Sequence, residues 1–299
     1  MKKILLATTL LAASAGFAAA EVAVSGSARM GIISTAGADA MFTSRVRINF
    51  TATGETDGGL SFGASVRNDQ MGNGNTANGD STVFISGAFG KLTMGDVGGA
   101  ADALVGQVSG VGYGPNDSLQ EIGFIGTTKT AAYYEYSTGA LTFGLGAGQL
   151  ESEASELSVA VKYAAGNYSV ALGWETTDGK ALVAGPPIVA AVPAEDLISL
   201  GASATFGAAT VKARISDSDI SGKDTTWALS VDYVTGATTL TAFYTDFGNT
   251  GASTDTQHIG VGAAYDLGGG ASVAGGIVMQ NNTGVADATF ADVGLKFSF

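Results

Sequence analysis

The stretch Tyr168-Ser169-Val170-Ala171-Leu172-Gly173-Trp174-Glu175 alternates large apolar side chains with small or polar ones at every step. A period of two sends successive side chains to opposite faces of a sheet. Tyr168, Val170, Leu172 and Trp174 therefore share one face, and Ser169, Ala171, Gly173 and Glu175 the other. Just before it, Gly166-Asn167 supplies the residue types that a tight hairpin turn requires. The unit of strand, tight turn, strand and polar loop recurs from Val22 to Phe299, ending in Val293, Leu295, Phe297 and Phe299 against Asp292, Gly294, Lys296 and Ser298. It predicts about sixteen strands, from Val22–Ile33 through Ser81–Ala88 and Lys91–Asp96 to Ala288–Phe299, with no helix to cover their apolar face. A sheet apolar on one face with no protein layer against it needs the bilayer as solvent, and a closed barrel is the only sheet a bilayer tolerates. The expected fold is all-β: an antiparallel transmembrane β-barrel of that many strands.

The totals agree. Residues 1–20 read as a secretory signal: Lys2 and Lys3 form its positive end, Ile4 to Phe17 its apolar stretch, and Ala18-Ala19-Ala20 its cleavage site. Residues 21–299 then form one barrel domain, exported through the periplasm to the outer membrane of a Gram-negative bacterium. Without Lys2 and Lys3, 12 basic side chains face 27 acidic ones, a net charge of −15 that argues against nucleic acid as a partner. There is no cysteine, so stability outside the cytoplasm must come from a closed hydrogen-bonded sheet rather than disulfides. Charged residues make up 14% of the chain, too few for an ordinary soluble domain. The most apolar later run, Ala181 to Ala194, is short and broken by Pro186, Pro187 and Pro193.

Connections alternate in length. Gly90, Gly139, Gly166-Asn167, Gly207, Gly236 and Gly268-Gly269-Gly270 mark tight turns, and long polar loops lie between them. Short turns on one rim and long loops on the other are the pattern of outer-membrane barrels. Phe50, Phe62, Phe143, Tyr163, Tyr168, Phe206, Tyr233, Tyr265 and Phe297 all fall near the tight turns on the apolar face, as an interfacial girdle would.

Val24-Ser25-Gly26-Ser27-Ala28-Arg29-Met30-Gly31, Thr82 to Lys91, Tyr265 to Ser272 and the ending Gly294-Leu295-Lys296-Phe297-Ser298-Phe299 resemble the general-diffusion porins of Rhodobacter-type alphaproteobacteria. The resemblance covers essentially all of the chain after residue 20. It implies a homotrimer of barrels in the lipid bilayer, each narrowed by its third long loop folding inward, with calcium sites near the constriction. No cofactor is otherwise required. Phe299 resembles the terminal aromatic that the outer-membrane assembly machinery reads.

The third long loop, Val97 to Lys129, is the longest connection, and a connection of that length is usually functional. Its low charge and its apolar residues Leu104, Val105, Val108, Val111, Phe124 and Ile125 suit packing against a wall; its acids are Asp96, Asp102, Asp117 and Glu121. Alternation sends Arg29, Arg45, Arg47 and Arg67 of the first three strands to the polar face, where they form a basic wall with few nearby acids. Arg214, Lys162, Lys212 and Lys296 face the same way from scattered strands and are weaker candidates. Asp217, Asp219, Ser221 and Gly222 start like a calcium loop, but Ala228 stands where a bidentate Glu is needed. Glu151, Glu153 and Glu156 form another acidic group. His258, the single histidine, reads as a solvated rim residue rather than a catalyst, because no nucleophile motif accompanies it.

Together these features predict a passive, water-filled channel for small hydrophilic solutes and ions, not an enzyme. An adhesin or structural barrel with a closed lumen is the alternative. It would need bulky residues on the polar face, which here carries mostly Ser, Thr, Gly and Ala.

Overall fold

The structure is a computed structural model that describes residues 21–36, 38–71, 75–114, 116, 118–127, 130–149, 155–179, 193–249, 255–284 and 286–299. The signal segment 1–20 lies outside the described residues, as do Asp117, Glu151 and Glu153. Sixteen strands close into one barrel, each paired antiparallel with the next. In chain order they are β1 (Glu21–Ser34), β2 (Met41–Glu55), β3 (Ser61–Met71), β4 (Asn75–Gly87), β5 (Gly90–Gly95), β6 (Ala131–Thr138), β7 (Leu141–Ala147) and β8 (Glu156–Ala165). The second half holds β9 (Tyr168–Thr177), β10 (Glu195–Phe206), β11 (Ala209–Ser218), β12 (Thr226–Thr235), β13 (Thr238–Asp246), β14 (Thr256–Gly268), β15 (Ala271–Asn282) and β16 (Ala288–Ser298). The last strand returns to the first over the register Ser27↔Ser298 to Ser34↔Ala291, which removes both open edges. Beyond that ladder the backbones of Gly26 and Phe299 exchange two hydrogen bonds, 2.6 and 3.0 Å.

Turn chemistry explains the tight rim. Of six two-residue hairpin loops, four share one form: Gly139-Ala140, Gly166-Asn167, Gly207-Ala208 and Gly236-Ala237. In each the first loop residue is glycine with φ between 58 and 60°. A left-handed first position followed by an ordinary second one is the type II′ pattern, whose twist matches the flanking strands.

The expected strand set is present, with two differences. β4 begins at Asn75, six residues before the expected Ser81, so much of the anticipated loop 70–80 is a hairpin extension. The 97–127 connection also contains a short helix, α1 (Ala100–Val105), where none was expected. One and a half turns are too few for a periodic signal.

Packing is inverted relative to a water-soluble protein. Val170, Leu172 and Trp174 of the deciding stretch are 39–49% exposed, and the girdle residues Phe50, Phe62, Phe143, Tyr163, Tyr168, Phe206, Tyr233 and Tyr265 are exposed on the same face. An apolar surface that runs around a closed barrel is a lipid-facing surface. The buried apolar clusters lie instead on the polar face: Ala100 and Leu104 with Ala160, Val108 and Ile122 with Ala228, and Val111 with Phe243 and Val278. In every cluster one side comes from the 97–127 segment and the other from the barrel.

Candidate functional site

Arg29 on β1, Arg45 and Arg47 on β2 and Arg67 on β3 lie on adjacent strands, with acids close by. Arg29 stands directly opposite Arg45 in the β1–β2 register and opposite Lys296 in the β1–β16 register. Like charges facing each other across strands are unfavourable, and carboxylates relieve the neighbouring positions. Asp69 on β3 pairs with Arg47, with Nε donating to Oδ1 at 2.9 Å and Nη2 to Oδ2 at 3.0 Å. Arg67 lies 3.1 Å from the same carboxylate and also pairs with Asp80. The β3–β4 register slips between Val66 and Asn68, which leaves Arg67 facing Gly79 and Asp80. Such irregularities re-aim a side chain. The expectation that the wall meets few acids is therefore corrected: two of its four arginines are held by Asp69 and Asp80. Asp69 carried a readable signal, since it shares the strand parity of Arg67 two residues away.

The segment 97–127 runs along the polar face of the barrel, seated on glycines. Ala101 and Val105 lie over Gly173 and Gly201, where added Cβ atoms would come within 2.6 and 2.9 Å of them. Val111 covers Gly262 and Gly276, and the Tyr113 ring covers Gly31 and Gly294. Glycine inside a strand weakens it unless another chain must approach closely, and here one does. The small residues of the polar face were expected to leave open space; at these positions they receive the segment.

Hydrogen bonds follow the same path. The Ala101 amide donates to Ser158 Oγ on β8 and the Ser109 amide to Ser230 Oγ on β12, both at 2.9 Å. Ser109 Oγ donates to Asp232 at 2.5 Å, and the Tyr113 amide to Asp292 Oδ1 on β16 at 3.1 Å. Thr245 on β13 donates to the Gln120 carbonyl at 3.0 Å. His258 Nδ1 sits 2.5 Å from the Leu119 carbonyl, and the residue is only 7% exposed. The solvated rim position expected for His258 is thus corrected to a buried contact with the segment. At the other end of the path Gly114, with φ 141°, passes against the Arg29 guanidinium.

The acids divide. Asp96 directly follows β5, its amide donating to the Ser81 carbonyl at 2.9 Å. Asp102 on α1 and Glu121 both interact electrostatically with Arg214 on β11. Asp102 keeps an exposed surface but is closely surrounded by protein, and that desolvation raises its pKa against the pull of Arg214. Desolvation likewise raises the Tyr113 phenol. Arg214, a weaker candidate by sequence, is 3% exposed and donates to the Ile122 and Gly123 carbonyls. Strand parity could not show this, because the partners lie about ninety residues away.

In the calcium-like loop, Asp217 accepts from Thr225 at 2.5 Å and Asp219 from the Asp196 amide at 2.8 Å. Ser221 and Gly222 follow in a turn. Among the described residues no group of three or more His, Cys, Asp or Glu is placed to hold a metal ion. Phe299 packs over Gly26 at the closure of the barrel, where a Cβ would come 2.6 Å from its ring.

Comparison with known proteins places this geometry. A porin of Rhodobacter capsulatus is 37% identical over 93% of this chain and 100% of its own length. A porin of Fuscovulum blasticum is 28% identical over 87% of this chain and 92% of its own. A refined porin crystal structure at 35% identity matches with a TM-score of 0.76, over 93% of this chain and 100% of that one. The profile of the Gram-negative porin family matches residues 7–285. With its closed sixteen-strand barrel and lipid-facing apolar surface, the chain belongs to the Gram-negative porin family and is an outer-membrane channel.

Proposed function

We propose that this channel is a passive, water-filled pathway for small hydrophilic solutes and ions, narrowed to a waist by residues 97–127 within the barrel. The observation that carries it is the line of hydrogen bonds from that segment to the polar faces of β8, β12, β13 and β16. A segment tied to strands so far apart around a closed barrel crosses its interior. Solutes then pass between the segment and the wall of Arg29, Arg45, Arg47 and Arg67, with Asp96, Asp102 and Glu121 supplying negative charge on the segment side. The transverse field between the two sides orders water and selects by charge at short range. No cofactor enters this mechanism.

The barrel assembles as a trimer through the small outward residues of its first strands, Ala28, Ser44 and Ala64 beside the Gly26 position that Phe299 covers, which let two barrels approach closely. Phe299 serves as the assembly terminus. Purified protein inserted in planar bilayers should give stepwise conductance that scales with salt concentration. Stable insertion without ion current would favour the closed-lumen alternative. Light scattering of the detergent-solubilised particle should give three times the monomer mass, and a monomer mass would refute the trimer.

A further inference from the structure

We propose that Arg214 and Glu175 form a charged clamp on the turn Ile122–Gly126, and that this clamp sets the position of the waist. The proposal rests on the reading that residues 97–127 narrow the channel.

Arg214 Nη1 donates to the Ile122 carbonyl at 2.7 Å and Nη2 to the Gly123 carbonyl at 2.9 Å. Its Nε is bound on the barrel side by Ser216 Oγ at 3.2 Å. The Phe124 ring closes over the guanidinium, 3.6 Å from Cζ to the ring centroid. On β9, Glu175 Oε2 accepts the Ile125 amide at 3.3 Å. Arg214 therefore holds two successive carbonyls, and Glu175 holds the amide just beyond Phe124. The stretch is gripped on both sides of the Phe124 ring by groups that match its local dipoles.

Both clamp residues are almost fully enclosed, Arg214 at 3% and Glu175 at 1% exposure. Salt and water screen such groups poorly. Elsewhere the segment is held by small side chains on glycines, by the hydroxyls of Ser158, Ser230 and Thr245, by the carboxylates of Asp232 and Asp292 and by His258. At this turn, a buried arginine takes two neighbouring carbonyls while a buried carboxyl takes the amide beyond Phe124. Lysine cannot reproduce the fork, because an ammonium is a point charge without planar geometry.

Channel recording and thiol labelling test the clamp together. The chain has no cysteine, so Ile122→Cys provides a single reporter, 3% exposed in the clamped turn. Bilayer currents are compared for the parent, R214K, R214M and E175Q, each checked for barrel folding by heat-modifiable migration. With I122C added, R214K and E175Q should label with a polar maleimide about tenfold faster than the parent, because the turn opens locally. Both should also show increased open-channel noise and sub-conductance steps while their barrels migrate as folded. R214M should show a larger effect of the same kind. If R214M does not fold, R214K and E175Q decide the matter. Folded R214K and E175Q with parental labelling rate and parental noise would overturn the clamp. Faster labelling with parental current would show that the turn opens without moving the waist, and would also overturn it. Absence of current in the parent would refute the channel-narrowing reading instead.

Discussion

Replacing Arg45 and Arg47 together by Ala should shift the channel toward cations by an amount the wall geometry sets. Arg29, Arg45, Arg47 and Arg67 are offset by Asp69 and Asp80, leaving two net positive charges, and the double variant leaves none. A monovalent ion passing about 8 Å from such a charge feels about 0.5 kcal/mol in water, which screening at 0.1 M salt reduces to about 0.2 kcal/mol. Two charges act with opposite sign on cation and anion, so their removal changes the difference between them by about 0.9 kcal/mol. That corresponds to about a fivefold rise in the cation-to-anion permeability ratio at 0.1 M, collapsing to about 1.3-fold at 1 M, where the Debye length is about 3 Å. Zero-current potentials in a salt gradient measure both. An unchanged ratio at 0.1 M would show that these arginines do not line the ion path. A shift that persists undiminished at 1 M would show that the effect is not electrostatic.

Asp69→Asn should move selectivity the other way, about twofold toward anions at 0.1 M in the same assay, because it adds one net positive charge beside Arg47 and Arg67. Gly173→Ala should cost about 1–3 kcal/mol in a denaturant titration and change the unitary conductance, since its methyl would stand 2.6 Å from the Ala101 Cβ and displace α1. The raised pKa of Asp102 means that it takes up its proton at a higher pH than an ordinary carboxylate near 3.9. Acidification then removes a negative charge from the channel, so cation preference should fall as pH drops toward that range. D102N should lose this part of the pH dependence, as read by zero-current potentials between about pH 4 and 7.

The barrel was legible because its determinants are local. Alternation places each side chain on its face, and a glycine at the first turn position marks the hairpins after β6, β8, β10 and β12, so β8, β9 and β13 lie within a residue of expectation. β4 was read short because Asn75 to Asp80 are polar or small throughout; a strand with no apolar face carries no alternation in hydropathy. Parity groups the four arginines, yet the pairing of Arg47 and Arg67 with Asp69 and Asp80 depends on register and on the slip after Val66. Least legible were the contacts of the 97–127 segment. Arg214, Glu175, Asp292 and His258 meet it across the barrel, and nothing in their own neighbourhoods distinguishes an open wall position from an occupied one. The glycines beneath it were visible in the sequence, but as empty space rather than as seats.

The seat of Tyr113 has a consequence for the order of folding. Its ring rests on Gly31 of the first strand and Gly294 of the sixteenth, residues that face each other across the closing seam. They are far apart in sequence, so their pairing is the most demanding contact in the chain to establish. Until that seam joins, the two halves of the Tyr113 slot are on different edges of an open sheet and there is nothing for the ring to enter. Seating of this end of the segment therefore follows closure, so the narrowing proposed for residues 97–127 is among the last features of the molecule to be set.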